Sequence, residues 1–226
     1  MFKKTCLALA LVGAAAAAHA GPTLINEGFD NVEGVAATPS SAAILGLVDK
    51  GWKLENLGTP INPDFPTWYQ GNGGAFDSHS GVATSYVSSK WASVGAGGTL
   101  SSWLISPEFS TAENLEVSFW ARGEGVQGYI DQLAYGLVDA AGTFASFVPQ
   151  ASITVAGEWT RYSFLLSGQG LGSSARFAIQ YFGFADEANV VGIDDVAINV
   201  PEPSTWALAG VSLLGLVAAR RRRTQA

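Results

Sequence analysis

Two residue types on which much enzyme chemistry rests are nearly missing. Of 226 residues, one is Cys and two are His. Cys6 and His19 both fall inside an apolar stretch at the start of the chain that reads as a removable leader. The chain beyond it carries no thiol and a single imidazole, His79. No disulfide can then form. There is no Cys nucleophile, and no zinc centre of the Cys/His type can be assembled. A Ser-His-Asp triad would have to use His79. P-loop, Rossmann glycine and His-Glu-x-x-His strings are absent too.

Charge is also scarce, at 14% of residues, and unevenly placed. Lys3, Lys4 and Arg220 to Arg223 sit at the two ends. Residues 21–200 keep six basic residues against 18 acidic ones, a net −12. Such a body repels nucleic acid and suits export and divalent cations. No convincing helical period runs through it. Its 27 glycines and 11% aromatics favour a β-sandwich with tight turns over a helical bundle. Some 180 residues are enough for one domain with a sizeable core.

Met1 to Ala20 has the order of a secretory signal peptide. Lys3 and Lys4 supply the basic start, Cys6 to Ala18 the apolar run, and Ala18-His19-Ala20 the small residues a signal peptidase reads, with cleavage before Gly21. The other extremity, VPEPSTWALAGVSLLGLVAARRRRTQA, is built in three parts. Pro201, Glu202 and Pro203 form a stiff polar turn. Ser204 to Ala219 is uncharged, and about 24 Å long as a helix at roughly 1.5 Å per residue. That nearly matches a hydrocarbon core. Arg220, Arg221, Arg222 and Arg223 then hold the far end in the cytoplasm.

Those three parts in that order resemble the PEP-CTERM sorting signal of Gram-negative bacteria. The resemblance implies recognition by an exosortase, a membrane-embedded cysteine transpeptidase that cuts near the Pro-Glu-Pro. It also implies association with exopolysaccharide. A plain C-terminal membrane anchor is the alternative, with the same orientation.

Between the ends the pattern is all-β. Leu115, Val117, Phe119 and Ala121 alternate with polar or larger partners, the mark of a half-buried strand. Thr160 to Leu166 and Ala175 to Tyr181 repeat it. Leu24 to Phe29, Thr84 to Val87, Thr99 to Ile105 and Val190 to Asn199 read as further strands. Weaker ones fit 132–138, 143–148 and 152–155. Residues 31–48 read as a loop with a short helix at 42–48, and residues 56–66, with three prolines, as another loop. About ten short strands predict a single jelly-roll β-sandwich. The expected organisation is a signal peptide at 1–20, the sandwich at 21–199 and the sorting tail at 200–226, with its transmembrane helix at 204–219.

The body carries a second resemblance. Asn26-Glu-Gly-Phe-Asp30, Gly51-Trp52, Trp68-Tyr-Gln-Gly-Asn72, Phe76-Asp-Ser-His-Ser-Gly81, Trp103-Leu-Ile-Ser-Pro107, Leu115-Glu-Val-Ser-Phe-Trp120 and Gly192-Ile-Asp-Asp-Val196 look, in order and spacing, like the choice-of-anchor J domain. That family is similar to cleaved adhesin domains and MAM-type jelly rolls. It implies an adhesin-like or matrix-associated module and no enzyme activity. The Asn-x-Gly-Phe-acid opening and Ile-Asp-Asp-Val ending also resemble carbohydrate-binding jelly rolls with a structural Ca²⁺ between them.

Four candidate sites follow. Glu27 or Asp30, with Asp194 or Asp195, could hold a structural Ca²⁺, which needs six to eight oxygens. One Asp of the pair should point inward, where a lone carboxylate is costly; the alternative is capping by N–H groups or pairing with Arg176. His79, beside Ser78 and Ser80, reads as a turn residue rather than a catalytic base, for no nucleophile-elbow context surrounds it. Among the tryptophans, Trp68 with Tyr69 is the best place for a sugar ring to stack; the alternative is core packing. Glu108 with Glu113 or Glu116 would be a glycosidase pair only if one lay in an apolar pocket, and Glu116 falls on the polar side of its strand.

The expected product is a non-catalytic exported surface or matrix protein. Its processing partners would be signal peptidase and exosortase, with the inner membrane as a transient host and exopolysaccharide as a companion. The runner-up is a carbohydrate-binding module, and a glycoside hydrolase comes third.

Overall fold

Alternating apolar residues build two antiparallel sheets that bury their matching faces against each other. The computed structural model describes residues 21–30, 32, 45–72 and 74–201. The leader at 1–20 and the tail from Glu202 onward lie outside the described residues. So do the predicted membrane helix and arginine cluster. No helix among the described residues is long and apolar enough to cross a membrane.

The elements are β1 (Thr23–Glu27), α1 (Leu45–Asp49), β2 (Lys53–Asn56), β3 (Thr59–Ile61), β4 (Tyr69–Gln70), β5 (Val87–Lys90), β6 (Val94–Ile105), β7 (Phe109–Ser110), β8 (Leu115–Gly123), β9 (Gln132–Asp139), β10 (Val148–Thr154), β11 (Thr160–Leu166), β12 (Ser174–Phe184) and β13 (Val190–Asn199). One sheet runs β11-β8-β13-β5-β4, with β1 also on β13. The other runs β10-β9-β12-β6-β2, with β3 on β6 and β7 on β12. The expected β-sandwich is the observed fold.

The core is set by the strand period. Leu115, Val117, Phe119 and Ala121 of β8 face Phe177, Ile179 and Tyr181 of β12 and Leu133 of β9, all buried. Phe119 lies 5.0 Å from Tyr135 and 5.5 Å from Phe177, ring centre to ring centre. Each such ring or branched chain gains about 1.5–3 kcal/mol on leaving water. A second, small apolar cluster sits on the outside of the other sheet. There Trp103, Ile105, Val138 and Ala178 are covered by Phe144 and Phe147. The stretch predicted as a strand at 143–148 is therefore a 3-10 turn, Phe144–Ser146, that folds its rings back over Trp103. The short helix is described over Leu45–Asp49; the first residues of its expected span, 42–44, lie outside the described residues. The proline-rich loop at 56–66 contains β3, whose Thr59 pairs with Thr99.

β13 departs from simple alternation in a way that shapes the site. Val191, Ile193, Val196 and Ile198 all belong to the core, so the inward positions shift by one residue between 193 and 196. The shift is a bulge. The pairing of β13 with β8 breaks between Asp194 and Ala197, and Asp195 adopts a φ of 45°. A left-handed residue at a bulge resets strand parity. Both Asp194 and Asp195 thereby leave the core face.

Candidate functional site

The site grows from that bulge. Asp194 has no exposed surface. It is not covered by the core but by the 76–85 segment, which crosses the outer face of the six-stranded sheet. Its Oδ2 accepts the N–H groups of His79 and Ser80 at 2.9 and 3.1 Å. Its Oδ1 accepts the N–H of Asp195 at 2.7 Å. Burial pushes its pKa up to about 7; the charge of Asp195 adds to the rise, and the N–H bonds oppose it. Asp194 is thus the anchor that pins the loop to the sheet. Of the two predicted outcomes, capping by N–H groups is the observed one, and Arg176 takes no part. Arg176 donates instead to the carbonyls of Ala140, Gly51 and Ser106.

Asp195 turns the other way. Its Oδ2 is 2.7 Å from Nδ1 of His79, and its Oδ1 accepts the Ser80 hydroxyl at 2.8 Å. It lines an open cavity of about 400 Å³ together with Glu27, Gly28, Asp30, Lys50 and Ser80. Gly28 separates two of the acids. One oxygen of Asp30 and one of Asp195 each lie 3.5 Å from where a Gly28 Cβ would stand. Gly81, at a φ of 77°, closes the other side, and a Cβ there would collide with Asp30 Oδ1. The predicted juxtaposition of the first and last strands is therefore real for Glu27, Asp30 and Asp195, while Asp194 lies beneath with its oxygens committed.

The acids differ in what they already hold. Glu27 is paired with the Lys50 ammonium through both oxygens, at 3.0 and 2.9 Å, and accepts the Phe29 N–H. Asp30 has no hydrogen-bond or ion-pair partner among the described residues. The donor set is all oxygen, which suits a hard cation such as Ca²⁺, with Lys50 as the competing positive charge. One residue that sequence reasoning missed holds this corner together. The Gln70 amide nitrogen shares its two N–H groups among the carbonyls of Phe29, Thr84 and Tyr86, and its oxygen accepts the Val32 N–H. It satisfies the irregular backbone around Phe29, whose φ is 53°. A polar side chain two residues from Trp68 in a short edge strand carries no sequence signal of that duty.

His79 stacks on Trp120 with ring centres 3.6 Å apart and planes 18° from parallel. Ser78 donates to Val82 and Ser80 to Asp195, so neither hydroxyl is aimed at the imidazole. None of the candidate glycosidase acids sits in an apolar pocket: Glu116 is paired with Arg161 at 3.0 Å, and Glu108, which accepts from Ser174, and Glu113 are exposed.

The predicted stacking platform divides. Trp68 is only 1% exposed and packs in the core, so it offers no face to a sugar. It sits just before β4, where the chain turns inward after the proline-rich loop. Tyr69, the next residue, points to the opposite side and lines a separate cavity of about 210 Å³ with Asn72, Ser88, Lys90, Glu124 and Val190.

Residues 199–223 match the PEP-CTERM protein-sorting motif. The chain therefore carries the sorting signal of an exported protein. No curated protein matches the chain. Among solved structures, the chain is similar to the K1 cleaved adhesin domain of Lys-gingipain from Porphyromonas gingivalis W83. The TM-score is 0.56 at 17% identity, over 80% of this chain and 99% of that one. It is similar also to the K3 cleaved adhesin domain of the same protein. There the TM-score is 0.51 at 18% identity, over 79% of this chain and 98% of that one. At such identities the likeness is one of fold.

Proposed function

We propose that this exported protein is a non-catalytic component of the cell surface or extracellular matrix, delivered by an exosortase acting at Pro201-Glu202-Pro203. The observation that carries this reading is where the signal begins. The motif starts at Asn199, the last residue of β13, and the Val200 N–H donates to the Pro22 carbonyl at 3.1 Å. A cut beyond Pro201 then leaves every strand of the sandwich in place, so the product is a finished domain. Its adhesin-like fold and acidic body support a role in contact rather than turnover. In cells lacking the exosortase, the protein should remain in the inner-membrane fraction; in the parent strain it should be at the surface or in the medium. Identical fractionation in the two strains would refute the reading.

A structural Ca²⁺ is part of the same proposal. Asp30 and Asp195 would supply carboxylate oxygens, with Glu27 joining once Lys50 swings away. The ion would tie together the 27–30 turn, the 79–81 segment and the β13 bulge.

A second reading, carbohydrate binding, is favoured by one feature, the polar cavity beside Tyr69.

A further inference from the structure

On the outer face of the six-stranded sheet, at its β4–β5 edge, two opposite charges share one cavity without touching. Lys90 and Glu124 both line the space of about 210 Å³ next to Tyr69, yet no ion pair joins them among the described residues. The Lys90 ammonium rests 3.9 Å from the centre of the Phe65 ring and 5.9 Å from that of Tyr69. Burial lowers its pKa. Glu124 gives one oxygen, Oε2, to the Asn189 amide at 2.6 Å. Its Oε1 has no partner among the described residues. Asn72 uses its carbonyl on the Gly74 N–H and leaves its amide group free among the described residues.

We infer that this cavity is a subsite for one neutral pyranose unit of a polysaccharide. Size, charge and hydrogen-bonding pattern agree. The volume falls below the roughly 300–1,000 Å³ that takes drug-sized ligands, so it suits a single ring. A cation would meet Lys90, and an anion would meet Glu124 on a body that is already strongly acidic. Neighbouring hydroxyls answer both at once: one accepts from the ammonium while the next donates to Oε1, and the Asn72 amide serves a third. Lys90 and Glu124 are half-buried, and a diol held between them satisfies both at once, so rings that lack it should bind less well. The half-buried Tyr69 ring supplies the apolar wall against which sugar C–H groups pack.

The inference deepens the carbohydrate reading and is independent of how the chain is sorted. The test is saturation-transfer NMR on the processed protein from producing cells. The probes are the methyl glycosides of glucose, galactose, mannose and rhamnose, with methyl glucuronide and glycine as charged controls. At least one neutral glycoside should receive saturation. The signal should fall at least tenfold in Lys90→Met and in Glu124→Gln, with melting temperatures unchanged. Tyr69→Ala should abolish it, and if that variant unfolds, Tyr69→Trp should keep it. No transfer to any neutral glycoside, or stronger transfer to glucuronide or glycine, would overturn the inference. Transfer that survives both charge variants would overturn this subsite while leaving carbohydrate binding elsewhere on the domain intact.

Discussion

Asp194 offers the sharpest perturbation. Its carboxyl is enclosed and titrates near 7 in the folded chain against an ordinary 3.8. The folded state therefore holds a proton that the unfolded chain has already lost between those two values. Where the native state binds more protons, stability falls as pH rises. About 3 pH units separate the two pKa values, and each is worth about 1.36 kcal/mol, so at most about 4 kcal/mol should be lost between pH 4 and pH 8. Asp194→Asn removes the titration and keeps one acceptor oxygen, at a fixed cost from the amide that now faces an N–H. Urea unfolding in chelator at pH 4.5, 6 and 8 isolates the effect, because other carboxylates cancel in the difference between the two proteins. At an m value of about 2 kcal/mol/M, the gap between their midpoints should move by up to about 2 M in favour of the variant. A gap that stays constant over that range would refute the reasoning.

Other outcomes follow from particular contacts. Calcium should raise the melting temperature and EGTA should lower it; both effects should vanish in Asp30→Asn and Asp195→Asn and strengthen in Lys50→Met, and a melt indifferent to both reagents would exclude the ion. Gly192→Ala places a methyl 2.6 Å from Phe76 Cε2 and 3.0 Å from Tyr86 Cδ2, so it should cost about 1–3 kcal/mol by overpacking in urea unfolding. Tyr181→Phe removes the hydroxyl that donates to Asp131 at 2.6 Å in the interior, leaving that buried acid with the Asn189 N–H. It should cost about 1–3 kcal/mol, and less at pH low enough to protonate Asp131, whose pKa burial raises.

What could be read in the sequence is what strand period encodes. β8, β11 and β12 alternate cleanly, and their inward residues are the ones whose spacing named them. The junction of β1 with β13 was legible because acids cluster at both chain ends of the domain. The bulge at Asp195 was not. Simple parity groups Asp194 with Val196 and Ile198, and only a left-handed residue, invisible in composition, moves both acids to the outer face. Trp68 reads like Tyr69 in the sequence, since each is an aromatic beside a proline-rich loop. Trp68 lies just before a strand of only two residues, Tyr69–Gln70, and nothing local decides which ring turns inward. β4 and β7 are too short to show a period at all. Lys90 ends β5 and Glu124 follows directly on β8; they are far apart in sequence, and only the folded sheet brings them to one cavity.

Intact-mass spectrometry of the protein isolated from producing cells tests delivery most directly. The expected species begins at Gly21 and ends at or close to the Pro-Glu-Pro, with or without an added group at its new C-terminus. A surface or medium species that still carries residues 1–20 or the Arg220 to Arg223 cluster would contradict it.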